Sequence, residues 1–248
     1  MSALIDVKKL TIGYGTDFVL QRDATFSVDR GDVFVILGTS GCGKSTMLRH
    51  LIGLEQPMSG EVTIDGIGTP GMRVGPPSFG VMFQSGALFG SMTLAENVGL
   101  PLRTWTQLPA DAIETVVSAR LRLVGLQGFE NHYPAEISGG MKKRAAIARA
   151  MALEPTLLFL DEPSAGLDPV SAVELDDLIL TLSRGLGLTV VLVTHELESI
   201  FKIANRCIFL DKATQTIIAR GDPRALRDSS DDPRVRDFFN RQSPRQQP

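Results

Sequence analysis

The most constraining feature of the sequence is an apolar run that leads directly into a glycine-rich loop. The run DVFVIL, residues 32–37, is followed by GTSGCGKST, residues 38–46. The loop matches the pattern of a glycine, four free positions, and then glycine, lysine and serine. A strand that ends in this loop and continues as a helix is the P-loop arrangement, which binds the phosphates of a nucleoside triphosphate. The sequence therefore predicts an α/β fold with a nucleotide site after one of its strands.

Each part of this loop predicts a different contact with the nucleotide. The backbone N–H groups would surround the β-phosphate, and the Lys44 side chain would reach the β- and γ-phosphate oxygens. The Ser45 hydroxyl would ligate Mg²⁺. The predicted nucleotide-binding residues of the loop are Gly38, Thr39, Ser40, Gly41, Cys42, Gly43, Lys44, Ser45 and Thr46.

A second element indicates hydrolysis rather than binding alone. The run TLLFLDEP, residues 156–163, is typical of a buried strand that ends in two carboxylates. Asp161 is predicted to hold Mg²⁺, and Glu162 is predicted to polarise the attacking water. Together with the P-loop, this pair predicts nucleotide hydrolysis.

Two further residues follow predicted strands, at the edge where open α/β sheets bind ligands. His195 comes after TVVLVT, and Gln84 lies in VMFQSG. His195 would donate to the γ-phosphate and orient Glu162, and Gln84 would ligate Mg²⁺ or water. Position alone leaves alternatives open, because a single histidine is often structural and a glutamine at a strand end is usually solvated.

The stretch AEISGGMKKRAAIARA, residues 135–150, offers a second anion-binding helix end. Ser138, Gly139 and Gly140 open a predicted helix, whose free N–H groups and dipole favour an anion. No lysine–serine pair accompanies them, so this stretch lacks the groups that a P-loop uses for catalysis. An N-cap with flexible glycines is the alternative interpretation. The basic run KKR, residues 142–144, is expected to be a solvated face, and no nucleic-acid partner is predicted.

The rest of the chain alternates between predicted strands and helices. Residues 4–36 form β-rich runs, and a strand pair is predicted at 61–65 and 79–83, joined by the irregular GIGTPGMRVGPP. Helical spacing of apolar residues follows from about 87 to 153. Strands and helices then alternate, which predicts a mostly parallel sheet with helices on its faces. The later predicted strands are 157–161, 189–193, 206–210 and 215–219, and the later predicted helices are 170–184 and 196–204.

Composition narrows the environment of the chain. The net charge of −3 gives no general attraction to nucleic acid. The two cysteines, Cys42 and Cys207, are typical of a reducing compartment. The charged N-terminus is unlike a signal peptide, and the longest apolar runs are far below the roughly 20 residues of a membrane helix. We therefore expect a soluble chain that reaches a membrane through partners.

Taken together, these motifs resemble the ATP-binding cassette (ABC) ATPases, over roughly residues 4–221. The resemblance implies a P-loop fold of ABC type with a mostly parallel core sheet, an N-terminal antiparallel β lobe and a helical subdomain at about 87–153. Residues 1–221 would form a single ATPase domain, and residues 222–248 a tail with one short amphipathic helix near 233–241. ATP and Mg²⁺ are the implied ligands.

The resemblance also implies roles in a dimer that sandwiches two ATP molecules. Tyr14 would stack on adenine, Gln84 would belong to the Q-loop, and His195 would be the switch histidine. Asp168, in SAGLD, would lie in the D-loop at the subunit interface. ISGGM would be the signature, which acts in trans on ATP held by the P-loop of a second copy. The signature residues are Ser138, Gly139 and Gly140.

The motif spacing favours a transporter over the other classes of protein that contain an ABC ATPase domain. No heptad run separates Lys44 from Ser138, unlike in the coiled-coil DNA-repair ATPases, and the chain has one P-loop, unlike the two-cassette ribosomal members. The resemblance implies that Leu88, Phe89 and Met92 belong to a groove that receives a cytoplasmic helix of a permease. The alternative is that these three residues pack against the helical insert.

Local matches are similar to the ATPases of Mla and Mce lipid-transport systems. They are FQSGALFGSMTLAENV, TQLP at 106–109, the methionine of SGGM, and DPRVRDFF. This similarity implies a peripheral ATPase at the cytoplasmic face of the inner membrane that powers phospholipid transport. The implied partners are a second copy of the chain, a multispan permease, a periplasmic Mce-type lipid-binding subunit and a small STAS-type cytoplasmic subunit. The alternative is the ATPase of a solute importer, for example for amino acids.

One residue and one segment depart from the family pattern. The signature begins with Ile137 instead of leucine, and residues 66–77 lack the charged helical stretch that often precedes the Q-loop. The first change leaves the contacts of the helix end in place. The second bears on the surface that would meet a permease.

Overall fold

The computed structural model describes residues 3–15, 17–71 and 75–241. A 3₁₀ turn lies at Pro134–Glu136. The strands in these ranges are β1 (Ala3–Tyr14), β2 (Phe18–Asp29), β3 (Val33–Gly38), β4 (Ser59–Ile64), β5 (Gly80–Met82), β6 (Leu157–Asp161), β7 (Thr189–Val193), β8 (Arg206–Leu210) and β9 (Ile217–Gly221). The α-helices are α1 (Lys44–Leu51), α2 (Leu94–Trp105), α3 (Ala110–Leu123), α4 (Gly139–Ala150), α5 (Pro169–Leu186), α6 (Leu197–Ile203), α7 (Pro223–Ser229) and α8 (Pro233–Phe239).

The chain divides into two compact units. The first unit comprises residues 1–72 and 191–248, and the second comprises residues 73–190. The division passes through β7. No helix within the described residues is long and apolar enough to cross a membrane.

The first unit contains the N-terminal antiparallel sheet. It also contains β3, β8, β9 and the end of β7, which belong to the second sheet. The antiparallel sheet has the order β2-β1-β4, and the other strands follow the order β7-β3-β8-β9. β3 and β8 are parallel, with Gly38 opposite Leu210, and β9 is antiparallel to β8. All six residues of β3 are buried, as expected for a central strand covered on both faces.

The second unit carries β5 and β6, which are parallel neighbours, with β7 next to β6. Three of its helices, α2, α4 and α5, begin at side-chain caps. Thr93 and Glu96 form a capping box at α2, and Ser138 and Asp168 cap α4 and α5 with their side-chain oxygens. Pro169 occupies the first position of α5, where the fixed φ of proline suits the helix. The region predicted to be helical, at about 87–153, contains α2, α3 and α4.

The predicted fold class is confirmed, but the predicted strand pair at 61–65 and 79–83 is wrong. β4 pairs with β1, with Val62 opposite Val7 and Ile64 opposite Ile5, whereas β5 pairs with β6. The buried residues of β4 complete an apolar face with β1, which a pairing with the three-residue β5 would not offer. Between them, the described parts of 66–77 form no helix or strand element, and residues 72–74 lie outside the described residues.

The C-terminal segment packs against its own unit. The predicted amphipathic helix is found as α8, where Val235 and Phe239 are buried and the Phe238 ring meets the Phe209 ring edge-on at 4.9 Å. The sequence analysis did not predict α7, a short helix that Asp222 caps. The last part of the predicted tail, residues 242–248, lies outside the described residues.

Candidate functional site

The P-loop geometry depends on glycine. Gly38, Gly41 and Gly43 have positive φ angles, which favour glycine. A Cβ atom on Gly38 would lie 2.3 Å from the Leu210 carbonyl oxygen and 2.5 Å from the Cys42 Sγ, so no larger residue fits. The N-cap of α1, Gly43, makes no side-chain capping bond, and no acidic residue stands in the first turn. The helix end therefore suits a phosphate.

Lys44 places its ammonium over this loop. Its Nζ donates to the carbonyl oxygens of Gly38 at 3.0 Å and of Thr39 at 3.3 Å. The cation is thus positioned at the loop where the phosphates of a nucleotide would bind, and the two carbonyls hold it there.

Tyr14 lies next to the P-loop, which supports its predicted place beside the nucleotide. Its hydroxyl shares a 2.9 Å hydrogen bond with the Thr46 hydroxyl. Its ring stacks on that of Phe18, with centroids 6.2 Å apart and planes 22° from parallel. Phe18 is 61% exposed and was not predicted as a site residue, although an aromatic residue that directly follows a hairpin turn is a usable signal. The pair forms an exposed flat apolar surface of the kind on which bases stack.

Gln21 is a buried support of the P-loop that the sequence analysis missed. Its side chain is fully buried, and Nε2 donates to the carbonyl oxygens of Cys42 at 2.9 Å and Asp211 at 3.0 Å. Its Oε1 is buried without a hydrogen-bond partner. The Asp211 carboxylate accepts a hydrogen bond of 2.8 Å from Arg234 of α8. Two hydrogen-bonded residues therefore connect α8 to the P-loop.

The acidic pair lies at the end of β6 in the second unit. Asp161 is the last residue of the strand and Glu162 follows it, and both are more than nine-tenths buried. Glu162 has a φ of +47°, in the left-handed region. This conformation costs roughly 1–2 kcal/mol for a residue with a side chain, and such strain clusters at functional sites.

The signature and the D-loop contact each other. Ser138 caps α4 by accepting a hydrogen bond from the Met141 amide at 3.2 Å. A Cβ atom on Gly140 would lie 3.2 Å from the Cβ and Oγ atoms of Ser171, at the start of α5. Asp168 caps α5 by accepting from the Ser171 amide at 3.0 Å. Hydrogen bonds from the Ser171 hydroxyl and amide lower the pKa of the Asp168 carboxyl, which favours its charged form.

The KKR run is not a solvated face, because Lys143 is buried. Its ammonium donates to the carbonyl oxygen of Gln84, and to that of Glu162 at 3.3 Å. Burial lowers the pKa of Lys143, whereas the charges of Asp161 and Glu162 act in the opposite direction. The helical repeat explains the error, because Lys143 shares the inward face of α4 with the buried Ile147.

A second cation of α4 binds the same loop. The Arg149 guanidinium donates to the carbonyl oxygens of Gly86 at 2.9 Å and Ala87 at 2.7 Å. Burial lowers the pKa of Arg149. Residues 84–87, named here the Q-loop segment, are therefore held to α4 at three of their four carbonyl groups.

The other predicted residues lie beyond strand ends, as expected. Gln84 is exposed and follows β5, and His195 follows β7. The His195 side chain is 60% exposed, and its Nε2 lies 3.7 Å from the Glu196 carboxylate. Their catalytic roles stay predictions.

A groove of about 440 Å³ lies beside the Q-loop segment. Phe89 and Trp105, both exposed at about half their surface or slightly less, contribute to its lining. Leu88 and Met92, predicted to belong to such a groove, are half-buried and do not line it. The lining also includes Phe83, Leu100, Pro101 and Leu153.

Asn97 of α2 fixes the loop that carries Phe89. The side chain is fully buried, and its Oδ1 accepts from the Phe89 amide at 2.8 Å. Its Nδ2 lies within donating distance of three carbonyl oxygens, those of Phe89 at 3.1 Å, Met92 at 3.1 Å and Thr93 at 3.0 Å. The shape of the groove wall at Phe89 therefore depends on the side-chain amide of Asn97.

Each residue predicted to ligate Mg²⁺ is of a chemical type that suits a metal ion arriving with a nucleotide. The described residues contain no cluster of three or more His, Cys, Asp or Glu side chains able to hold a metal. Mg²⁺ at nucleotide sites is typically bound by one or two carboxylates, phosphate oxygens and water. The hydroxyl of Ser45, the amide oxygen of Gln84 and the carboxylate of Asp161 are oxygen ligands of this kind.

These features define a P-loop ATPase of the cassette type, and residues 21–165 match the family model for the ABC transporter. The chain belongs to the ABC transporter family and is its ATP-binding, ATP-hydrolysing component. Two relatives are each 39% identical to it. One is the intermembrane phospholipid transport system ATP-binding protein MlaF of Escherichia coli K12, matched over 96% of this chain and 88% of MlaF. The other is the probable ribonucleotide transport ATP-binding protein Mkl of Mycobacterium leprae, matched over 97% of this chain and 70% of Mkl.

The solved structures agree with the family. The dimeric structure of the ATP-binding cassette MJ0796 in a post-hydrolysis state, bound to ADP and Pi, is 29% identical to this chain and superposes with a TM-score of 0.77. The match covers 88% of this chain and 98% of MJ0796.

Proposed function

We propose that this chain powers a transporter that moves phospholipids across the bacterial cell envelope. The similarity to MlaF, over almost the full length of both chains, is the observation that carries the proposal. Mkl is equally similar but is named for ribonucleotide transport, so identity alone does not select the substrate. The second candidate is accordingly the ATPase of a solute importer, such as one for amino acids.

The proposed chemistry assigns a role to each site residue. The P-loop binds the phosphates of ATP, Lys44 neutralises charge on the β- and γ-phosphates, and the Tyr14 ring contacts adenine. Glu162 polarises the attacking water, and His195 donates to the γ-phosphate. Mg²⁺, held by Ser45, Gln84 and Asp161, would neutralise developing phosphate charge.

We propose further that two copies of the chain form the working enzyme. Ser138, Gly139 and Gly140 would contact ATP held by the P-loop of the second copy, with Asp168 at the interface. The dimeric MJ0796 structure supports the pairing of two copies. So do two exposed apolar residues beside Asp168, since Val170 and Val173 remain 68% and 48% exposed in the single chain.

The groove would receive a permease at the cytoplasmic face of the inner membrane. Its apolar lining and its contact with the Q-loop segment through Arg149 favour a short amphipathic helix as the occupant. The chain would thus be a peripheral membrane protein. Further partners in this proposal are a periplasmic Mce-type lipid-binding subunit and a small STAS-type cytoplasmic subunit.

The catalytic assignment is tested with Glu162→Gln. This change keeps side-chain size but removes the charge that polarises water, so we expect ATP binding to persist, phosphate release to fall by about 100-fold or more, and an ATP-bound dimer to accumulate. Glu114→Gln, at an exposed position of α3, is the matched control. A Glu162→Gln protein that stays monomeric and releases phosphate at the normal rate would refute this role.

The transport assignment is tested by purifying the tagged chain from gently solubilised native membranes, followed by mass spectrometry of proteins and lipids. We expect a permease, an Mce-type protein and phospholipid. Phe89→Asp should lose these components, and Leu54→Asp, which changes an exposed apolar residue outside the groove, should retain them. A permease accompanied by a soluble-solute receptor would favour the importer instead.

A further inference from the structure

We propose that Lys143 is a positioning residue, which holds Glu162 and the Q-loop segment to the signature helix α4. The inference rests on the proposed function, because it takes Glu162 as the residue that polarises water and Gln84 as a nucleotide-site ligand. Lys143 would act through these residues without touching ATP.

The contacts of Lys143 join three parts of the second unit. The residue belongs to α4, five positions after Ser138. Its ammonium donates to the carbonyl oxygens of Gln84 and Glu162, the very residues that the proposed chemistry uses. One cation therefore ties the signature helix to the loop before α2 and to the end of β6.

The backbone of Glu162 needs such a restraint. Its φ of +47° is unfavourable for a residue with a side chain, and it persists only where surrounding contacts fix it. The hydrogen bond from Lys143 to the Glu162 carbonyl is one such contact. Without this bond the Glu162 carbonyl would keep the hydrogen bond from the Ala165 amide at 3.2 Å, and the weaker restraint would let the carboxylate turn away from its working direction.

The burial of Lys143 argues against an incidental lysine. A buried ammonium is costly unless its donors are satisfied, and an apolar residue would fill the same space at lower cost. The carbonyl acceptors here belong to functional residues, and the carboxylates of Asp161 and Glu162 add favourable charge.

Arg149 makes the Q-loop part of this restraint redundant. It holds Gly86 and Ala87 to α4 through their carbonyl oxygens, and it does not reach Glu162 in the contacts described. Removal of Lys143 should consequently affect Glu162 more than it affects the Q-loop segment. This difference predicts a defect in the rate of chemistry rather than in ATP binding.

The test compares Lys143→Met with Lys143→Arg and Lys142→Met in the full chain. Methionine keeps a long side chain without the charge, and arginine keeps a cation. Lys142 is adjacent on α4 but lies about 100° around the helix, so Lys142→Met controls for the loss of one positive charge. ATPase rate, KM and binding of a fluorescent ATP analogue are measured at a temperature well below unfolding, and the thermal midpoint of each variant is measured separately.

We expect Lys143→Met to lower kcat by about 10- to 100-fold, because a small misplacement of a catalytic group has that effect. KM and analogue affinity should change less than about threefold, Lys143→Arg should recover most of the rate, and Lys142→Met should match the unmodified chain. A purely structural lysine would lower analogue-binding capacity and rate in parallel, and that result would overturn the inference.

The outcomes also separate this inference from the proposed function. Unchanged kcat in Lys143→Met, beside an inactive Glu162→Gln, would overturn the positioning role and leave the catalytic assignment intact. Full activity in Glu162→Gln would overturn both.

Discussion

Asparagine and aspartate differ in only one side-chain group. Replacement of Asn97 by aspartate should nevertheless destabilise the folded chain strongly. Aspartate has the shape of asparagine, but its ionised carboxylate cannot donate to the three carbonyl oxygens that surround the Asn97 amide. Each lost hydrogen bond is worth about 1 kcal/mol, and an unpaired buried charge costs several kcal/mol. We expect the free energy of unfolding to fall by about 3–5 kcal/mol at neutral pH.

The assay is urea unfolding followed by fluorescence of the single tryptophan, Trp105, which ends the same helix as Asn97. With an m-value of about 3 kcal/mol per molar urea, the midpoint should fall by roughly 1–1.7 M. Asn131→Asp, the same change at an exposed turn position, is the control and should leave the midpoint almost unchanged.

The pH dependence of this deficit gives a second check. Burial among carbonyl oxygens raises the pKa of the new carboxyl in the folded state above its unfolded value of about 3.9. A group with a raised folded pKa favours folding least at high pH, so the deficit should be smaller at pH 5 than at pH 8. Equal midpoints for the two aspartate variants, or a deficit that does not grow with pH, would refute the reasoning.

Three other changes have defined outcomes. Ser138→Arg should suppress ATP hydrolysis while the isolated monomer still binds a fluorescent ATP analogue with unchanged affinity, and loss of monomer binding would contradict action in trans. Gln21→Leu frees the Cys42 carbonyl, so calorimetry should show ATP affinity weakened by about 3- to 10-fold; unchanged affinity would mean that the P-loop does not need this support. Burial raises the pKa of Cys207 from 9.0 to about 12, so its contribution to stability is complete below about pH 9 and is lost as pH rises towards 12. Cys207→Ala should therefore lose less stability than the unmodified chain between about pH 8 and 10.5, as urea unfolding would reveal.

The predictions that held depend on residues close together in the chain. The P-loop, the end of β6 at Asp161 and the helix start at Ser138 each follow from a local pattern of glycines, apolar runs and capping residues. Such patterns act within one or two turns of the backbone, so they can be read without knowledge of the fold.

The features that sequence reasoning missed depend on partners far along the chain. Lys143 is recognised as a buried cation only when Gln84, 59 residues earlier, supplies its carbonyl. Gln21 looks like an ordinary polar strand residue until Asp211 is placed beside it, 190 positions later. Likewise, β4 and β5 look like a hairpin because they are neighbours in sequence, but burial of a shared apolar face selected other strands.

The hydrogen bonds around Asp211 have a practical consequence for anyone who modifies this protein. Arg234 of α8 holds the Asp211 carboxylate, while the Asp211 carbonyl and the P-loop share the amide of Gln21. A tag or fusion attached after α8 would be joined to a helix that hydrogen bonds through Asp211 and Gln21 connect to the P-loop. An N-terminal tag, or a long flexible spacer after Arg241, is therefore the sounder design for kinetic measurements.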